Sequence, residues 1–264
     1  MIEPIVEVEG LVKDFGKVRA VDDVSFSIMP GETFGLVGES GSGKSTIAAM
    51  LLCLETPTAG SINFDGTRID TLSPRKLLRY RRRMQLVMQD PIASLNRSKT
   101  IEQIIGLPLS VHESLTGDSR RNRVLELLDM VALPGSLLGR YPHELSGGQC
   151  QRVSIARSLA VSPSFLVLDE AVSAVDVLTQ AQILNLLKAL QKEFGLTYLF
   201  VSHDLAVVRY MCSRIAVMRG GKILEISERE QVFSSSAHPY TQELVAASPA
   251  SLAAAVQDHR KEKS

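Results

Sequence analysis

Apolar and polar residues alternate over residues 5–11 and again over 24–28, the two-residue period of strands with one buried face. The Pro30-Gly31 pair makes residues 29–32 a turn, after which residues 33–37 form a continuous apolar strand. Beyond a glycine-rich loop the period changes, and residues 44–54 carry their apolar positions at helical spacing. Residues 62–64 and 84–88 read as further strands. From residue 100 to residue 160 the pattern is helical: Val124, Leu127, Leu128 and Val131 recur three and four apart, and residues 147–161 repeat the habit. Strand signals return over residues 165–168, 198–201, 215–218 and 223–226, with a helix over 180–190 and a hairpin turn at Gly220-Gly221.

Strands alternating with helices predict parallel strands covered by helices, joined to antiparallel strands at both ends of the domain and interrupted by a helical insertion. The fold class is therefore α/β. Residues 248–264, Ala-rich and then charged, are expected to be a frayed helix or a disordered tail. No internal repeat stands out.

Charge and composition narrow the function. Lys+Arg and Asp+Glu both number 29, so the formal net charge is zero. That balance argues against nucleic acid as a partner, because phosphate contacts normally come from a basic excess. The local run Arg75, Lys76, Arg79, Arg81, Arg82 and Arg83 reads as a solvated helix face. With 45% hydrophobic residues the chain lies far from the disordered class. At 264 residues it has room for one large domain or two small ones and needs no staple. Cys53, Cys150 and Cys212 are widely spaced, which predicts free thiols. No stretch approaches the about 18 consecutive apolar residues of a membrane span, and the start, MIEPIVEVEG, lacks a signal peptide's character. A membrane role would thus pass through a partner.

Candidate chemistry begins at Gly38-Glu39-Ser40-Gly41-Ser42-Gly43-Lys44-Ser45, followed by Thr46, which matches GxxxxGK[ST] between an apolar strand and a helix. The glycines let backbone N–H groups converge on a phosphate, and the helix start adds positive potential. Lys44 reaches the outer phosphates, and Ser45 offers a hydroxyl to Mg²⁺. Downstream, the apolar residues 165–168 end in Asp169 and Glu170, at the carboxyl edge of a strand. Two such acids can simply cap a helix. Beside a phosphate loop they divide the work: Asp169 helps hold Mg²⁺ and Glu170 polarises the attacking water.

Leu145-Ser146-Gly147-Gly148-Gln149 stands between these motifs, directly before a helix. Alone it is a glycine turn with a Ser cap. In this order and spacing, the three motifs resemble those of ATP-binding-cassette (ABC) ATPases over residues 5–246. The resemblance implies a P-loop NTPase of the ABC type: a mainly parallel core, an N-terminal antiparallel β subdomain and a helical subdomain at roughly 95–160, all within a domain spanning residues 5–228, then a short tail over 229–264. It further implies that Ser146, Gly147, Gly148 and Gln149 close over ATP held by another subunit. Gln89 matches the glutamine that contacts Mg²⁺ and water, and His203 the histidine that contacts the γ-phosphate. Asp176, in Ser173-Ala174-Val175-Asp176, lies in the loop that crosses the dimer interface, with Val175 where Leu is usual. Phe15 occupies the place of the ring that stacks on adenine, though a Phe is as readily core.

Finer resemblance comes from Gln89-Asp90-Pro91-Ile92-Ala93-Ser94-Leu95-Asn96, from Asp176-Val177-Leu178-Thr179-Gln180-Ala181-Gln182 and from His238-Pro239-Tyr240-Thr241. These are similar to the ATPase subunits of the peptide and nickel importer family. Arg97-Ser98 and Ala171 depart from the family pattern, where Pro-Arg and Pro are usual, without removing a catalytic group. The resemblance implies ATP and Mg²⁺ as ligands and a second, different ATPase subunit. It also implies two membrane permeases, an external binding protein reached indirectly, and a location at the cytoplasmic face of the membrane. Peptide is the expected cargo, with nickel or a metal chelate as the alternative; a soluble ABC ATPase acting as a regulatory factor is the alternative of another class. Relatives with clustered C-terminal cysteines hold an iron–sulfur cluster, and none is expected here.

Overall fold

The computed structural model describes residues 3–234 and 238–247; the tail expected over residues 248–264 lies outside them. In chain order the elements begin with β1 (Val6–Phe15), β2 (Val18–Ile28), β3 (Thr33–Gly38), α1 (Lys44–Leu51), β4 (Ala59–Phe64), β5 (Thr67–Arg68), α2 (Pro74–Arg83) and β6 (Met84–Val87). There follow α3 (Pro91–Ser94), α4 (Ile101–His112), α5 (Gly117–Met130), α6 (Gly147–Leu159), β7 (Phe165–Asp169) and α7 (Val177–Phe194). The chain closes with β8 (Thr197–Ser202), α8 (Leu205–Met211), β9 (Arg214–Arg219), β10 (Lys222–Glu228), α9 (Arg229–Val232) and α10 (Pro239–Ala247). Two compact units emerge, one formed by residues up to Arg79 together with those from Gly195 onward, the other by residues 80–194.

The first unit contains an antiparallel sheet in the order β2-β1-β4-β5 and a run of strands in the order β10-β9-β3-β8. The alternation read from the sequence becomes the burial pattern of β1, where Val6, Val8 and Leu11 are at most 2% exposed between half-buried and exposed neighbours. Both hairpin strands run further than that alternation suggests. β1 continues to Phe15 and β2 starts at Val18, because backbone pairing from Lys13↔Val21 to Phe15↔Val18 persists where apolar periodicity has ceased. β3 is parallel to both β8 and β9, while β9 and β10 are antiparallel across Gly220-Gly221. Phe34, Leu36 and Val37 are buried on both faces of β3, as befits a central parallel strand.

The second unit pairs β6 with β7 in parallel and packs α4, α5 and α6 together. Ile101, Ile105 and Leu109 meet Val124, Leu127 and Leu128 in this core, all at 0% exposure. Thr100 and Gln103 form a capping box that starts α4. The basic run lies on α2, with Arg75, Lys76, Arg79 and Arg81 exposed and Leu77 and Tyr80 buried, the solvated face expected. Cys53, Cys150 and Cys212 are free thiols.

Several short elements were not legible in the apolar pattern: β5, α3, α8 and α9 are too brief to show a period. α8 is announced by its cap instead, since Asp204 Oδ1 accepts from the Ala206 and Val207 N–H groups at 2.8 and 3.3 Å. Among the described residues no helix is long and apolar enough to cross a membrane.

Candidate functional site

In the first unit, the loop from Gly38 to Lys44 is pressed between two backbones. A Cβ on Gly38 (φ 152°) would lie 2.2 Å from the Met218 carbonyl oxygen of β9, and one on Gly43 (φ 104°) 2.4 Å from that of Ala20 in β2. Both positions therefore require glycine. The Gly221 N–H donates to the Ser42 carbonyl at 3.1 Å and ties the β9–β10 turn to the loop.

Lys44 is only 5% exposed, and its Nζ donates to the Gly38 and Glu39 carbonyls, both at 2.8 Å, and to Ser42 Oγ at 3.3 Å. The ammonium is thus held over the mouth of the loop rather than extended into solvent. α1 is capped by Gly43 with no side-chain cap, so its first turn presents backbone N–H groups beside that cation. Glu39, Ser40, Gly41 and Ser45 are exposed and Thr46 half-buried. A buried cation among converging N–H groups is an anion site of the kind phosphates fill.

His203 leaves β8 beside this loop. Val37 of β3 pairs with Ser202 of β8, so His203 follows one strand as Gly38 follows its neighbour, at the same edge. The imidazole is exposed, on the bend that precedes the Asp204 cap. Phe15 ends β1 in the hairpin whose second strand carries Ala20, and it is 47% exposed, with Lys13 Nζ 4.7 Å from the ring centroid. The ring is therefore a surface group rather than core.

In the second unit, the β6–β7 pair does the same for a different set. Val87 pairs with Leu168, so Gln89 and the two acids emerge at one edge. Phe165, Leu166, Val167 and Leu168 are at 0% exposure, whereas Asp169 and Glu170 are half-buried. Glu170 has φ 49°, a left-handed conformation that costs a non-glycine residue strain. The turn is fixed by Ser173, whose N–H and Oγ both donate to the Glu170 carbonyl, at 3.1 and 2.9 Å.

The 145–149 element opens α6 through a capping box: the Gln149 N–H donates to Ser146 Oγ at 3.2 Å, and the Ser146 N–H to Gln149 Oε1 at 3.0 Å. Gly147 lies over Val175, and a Cβ on Gly148 would stand 2.4 Å from Thr179 Cγ2. Asp176 caps α7, accepting from the Thr179 N–H at 2.9 Å and from Thr179 Oγ1 at 2.6 Å. Those bonds, the hydroxyl first, hold the Asp176 carboxyl below its ordinary range. α6 is also tied to the Gln89 edge, because Arg157 donates to the Ser94 carbonyl at 2.8 Å and Ser158 Oγ to that of Leu86 at 3.1 Å.

Sequence reasoning missed Thr179 and Arg157. An Asp-x-x-Thr capping spacing was visible for the first, but nothing local marks an arginine that reaches a carbonyl 63 positions away. Ser45 in the first unit offers a hydroxyl, and Gln89 and Asp169 in the second offer an amide and a carboxylate, each an oxygen donor of the kind Mg²⁺ takes. Among the described residues no group of three or more His, Cys, Asp or Glu could hold a metal unaided.

The chain matches the ABC transporter family model over residues 21–173. It is 48% identical over 255 residues to the oligopeptide transport ATP-binding protein OppF of Bacillus subtilis, covering 94% of this chain and 84% of that one. It is 50% identical over 235 residues to AppF, an oligopeptide transport ATP-binding protein of the same organism, covering 89% and 71%. Among solved structures, CbiO1 of Clostridium perfringens, part of an ABC transporter complex, superposes with TM-score 0.80 at 30% identity over 88% of this chain and 92% of its own. The ATP-binding cassette MJ0796, a dimer bound to ADP and phosphate, gives 0.77 at 33% identity over 85% and 98%. A glycine loop closed over a buried lysine, two acids at the end of a buried strand and this breadth of likeness agree: the chain belongs to the ABC transporter ATP-binding family.

Proposed function

We propose that this chain is the ATP-hydrolysing subunit of a peptide importer. The observation that carries the chemistry is Lys44, buried and held by loop carbonyls between glycines that admit no side chain. The cargo class follows from the oligopeptide transport proteins to which the chain is nearly half identical.

In this reading the loop N–H groups and Lys44 bind the β- and γ-phosphates, and Phe15 stacks on adenine. Ser45, Gln89 and Asp169 would hold Mg²⁺, which would supply neutralisation of the phosphate charge. Glu170 accepts a proton from water as the water oxygen bonds to the γ-phosphorus and the bond to the bridging oxygen of ADP breaks. His203 contacts the γ-phosphate and holds its orientation. Ser146, Gly147, Gly148, Gln149 and Asp176 act across a dimer interface on ATP bound by a partner, so one chain supplies half of each of two sites.

The second ATPase is read as a different chain, and two permeases bring the pair to the cytoplasmic face of the membrane. An external binding protein delivers the peptide to them. Reconstitution with the permeases and binding protein in vesicles tests this. Peptide uptake should depend on ATP and vanish with Lys44→Ala; ATP turnover without uptake of any peptide would overturn the transport reading.

A further inference from the structure

Three backbones meet at the phosphate loop with no side chain between them. The Ala20 carbonyl of β2 is their common neighbour: a Cβ on Gly43 would stand 2.4 Å from its oxygen, and one on Gly221, in the β9–β10 turn, 3.1 Å. Gly221 has φ 82°, so conformation as well as space calls for glycine there. Its N–H donates to the Ser42 carbonyl at 3.1 Å, and its carbonyl accepts from the Asp22 N–H at 2.9 Å. Asp22 in turn pairs with Lys222, the next residue, at 3.1 Å through Oδ2, and with Arg19 at 3.0 Å through Oδ1. One turn residue therefore joins the loop to the β1–β2 hairpin that carries Phe15.

The bond to Ser42 bears on a ligand through the geometry of one peptide unit. A trans peptide is planar, with its C=O and N–H pointing in opposite directions. Holding the Ser42 carbonyl on Gly221 thus turns the Gly43 N–H away from the turn. Among the described residues that N–H has no hydrogen-bond partner, and it lies at the start of α1, where donors lack intrahelical acceptors. Within the loop, the Ser42 N–H donates to the Glu39 carbonyl at 3.2 Å and Lys44 Nζ to Ser42 Oγ at 3.3 Å. The Gly221 N–H fixes the 42–43 peptide from outside the loop.

We propose that Gly221 is a positioning residue for nucleotide: its N–H, braced by β2, orients the Ser42–Gly43 peptide so that the Gly43 N–H faces the phosphates, and the turn thereby raises affinity for ATP. This rests on the loop being the ATP site, and the test separates the two. Binding of Mg²⁺–ATP to the full-length chain is titrated, and the melting temperature is measured without nucleotide. Gly221→Ala sets a Cβ against the Ala20 carbonyl and displaces the N–H; we expect its dissociation constant to rise about three- to tenfold, the size of one hydrogen bond. Gly220→Ala controls for a merely structural role. Gly220 is also left-handed, at φ 54°, but a Cβ there meets nothing within 4 Å, so the variant strains the same turn without touching β2. Its melting temperature should fall while its dissociation constant stays unchanged. Equal dissociation constants for the two variants overturn the positioning role.

Should Gly221→Ala fail to fold, reciprocity gives a readout on the unchanged chain: a bond that raises ATP affinity must be strengthened by ATP to the same extent. Saturating Mg²⁺–ATP should slow amide exchange at Gly221 by more than at Asp65, whose N–H bonds the Ile5 carbonyl beside the β1–β4 pairing. Equal slowing at both amides would overturn the proposal. Undiminished ATP binding by Lys44→Ala would overturn the loop assignment itself.

Discussion

Gly148 and Thr179 are in closest approach: a Cβ on the glycine would stand 2.4 Å from Thr179 Cγ2, while the same threonine bonds Asp176 through Oγ1 at 2.6 Å and through its N–H at 2.9 Å. One side chain therefore sets the spacing between the 145–149 element and the loop ending at Asp176. Gly148→Ala should destabilise the chain by about 1–3 kcal/mol, the usual cost of overpacking, because Thr179 is held and cannot swing aside. Thr179→Ser removes the obstructing methyl and keeps the hydroxyl, so it should recover much of that loss. Denaturant unfolding of the two single variants and the double variant tests this, and strictly additive costs would contradict the contact.

Gly43→Ala and Lys44→Ala should both abolish most ATP binding, for different reasons. The alanine Cβ at 43 would meet the Ala20 carbonyl, a backbone atom that cannot rotate away, so the loop must deform and unfolding stability should fall as well. Lys44→Ala removes only the cation, and it should weaken ATP binding by at least about tenfold, or ~1.4 kcal/mol, while the loop backbone stays in place. Calorimetric titration with Mg²⁺–ATP and thermal unfolding separate the two effects.

Glu170→Gln keeps the size of the side chain and removes the carboxylate proposed as base, so on that proposal turnover in the assembled transporter should drop by about 10²–10⁴ with ATP affinity retained. The backbone gives a second expectation. With φ 49° at this residue, Glu170→Gly should unfold at higher denaturant than Glu170→Ala by ~1 kcal/mol, although both lose turnover. Equal stability of the two would show that the turn is not left-handed.

Stability should depend on pH through Glu225. Burial pushes its carboxyl up, but the His238 N–H and the hydroxyls of Ser227 and Thr241 outweigh that and hold it below its ordinary value of 4.5. A carboxyl depressed in the folded state stabilises fully above the unfolded value and loses that contribution as pH falls through the folded one. Glu225→Gln should therefore melt lower than the unchanged chain at pH 7, and the gap should close progressively below pH 4.5. A gap that persists undiminished in acid would show that the charge is not what holds α10.

Much of this molecule is legible along the chain. The period changes at residues 33–51 and at 165–169 place a loop and two acids at strand ends, and the spacing of the three motifs is specific enough to imply the family. Even the caps can be read, since Thr100 with Gln103 and Ser146 with Gln149 follow the Thr/Ser-x-x-Gln pattern and do form capping boxes. These features are local: each depends on backbone geometry within a few residues, which composition and order specify directly.

Tertiary structure alone decided the rest. That Gly38 and Gly43 are pressed by the carbonyls of Met218 and Ala20, that Arg157 reaches Ser94 and that Tyr240 is seated against Arg219 are contacts between distant segments. No periodicity encodes them, because they arise when separate elements bury their faces against one another and polar groups must then find partners across the packed interior. The sequence marked the glycine loop and the two acids; only packing showed what holds that loop in shape.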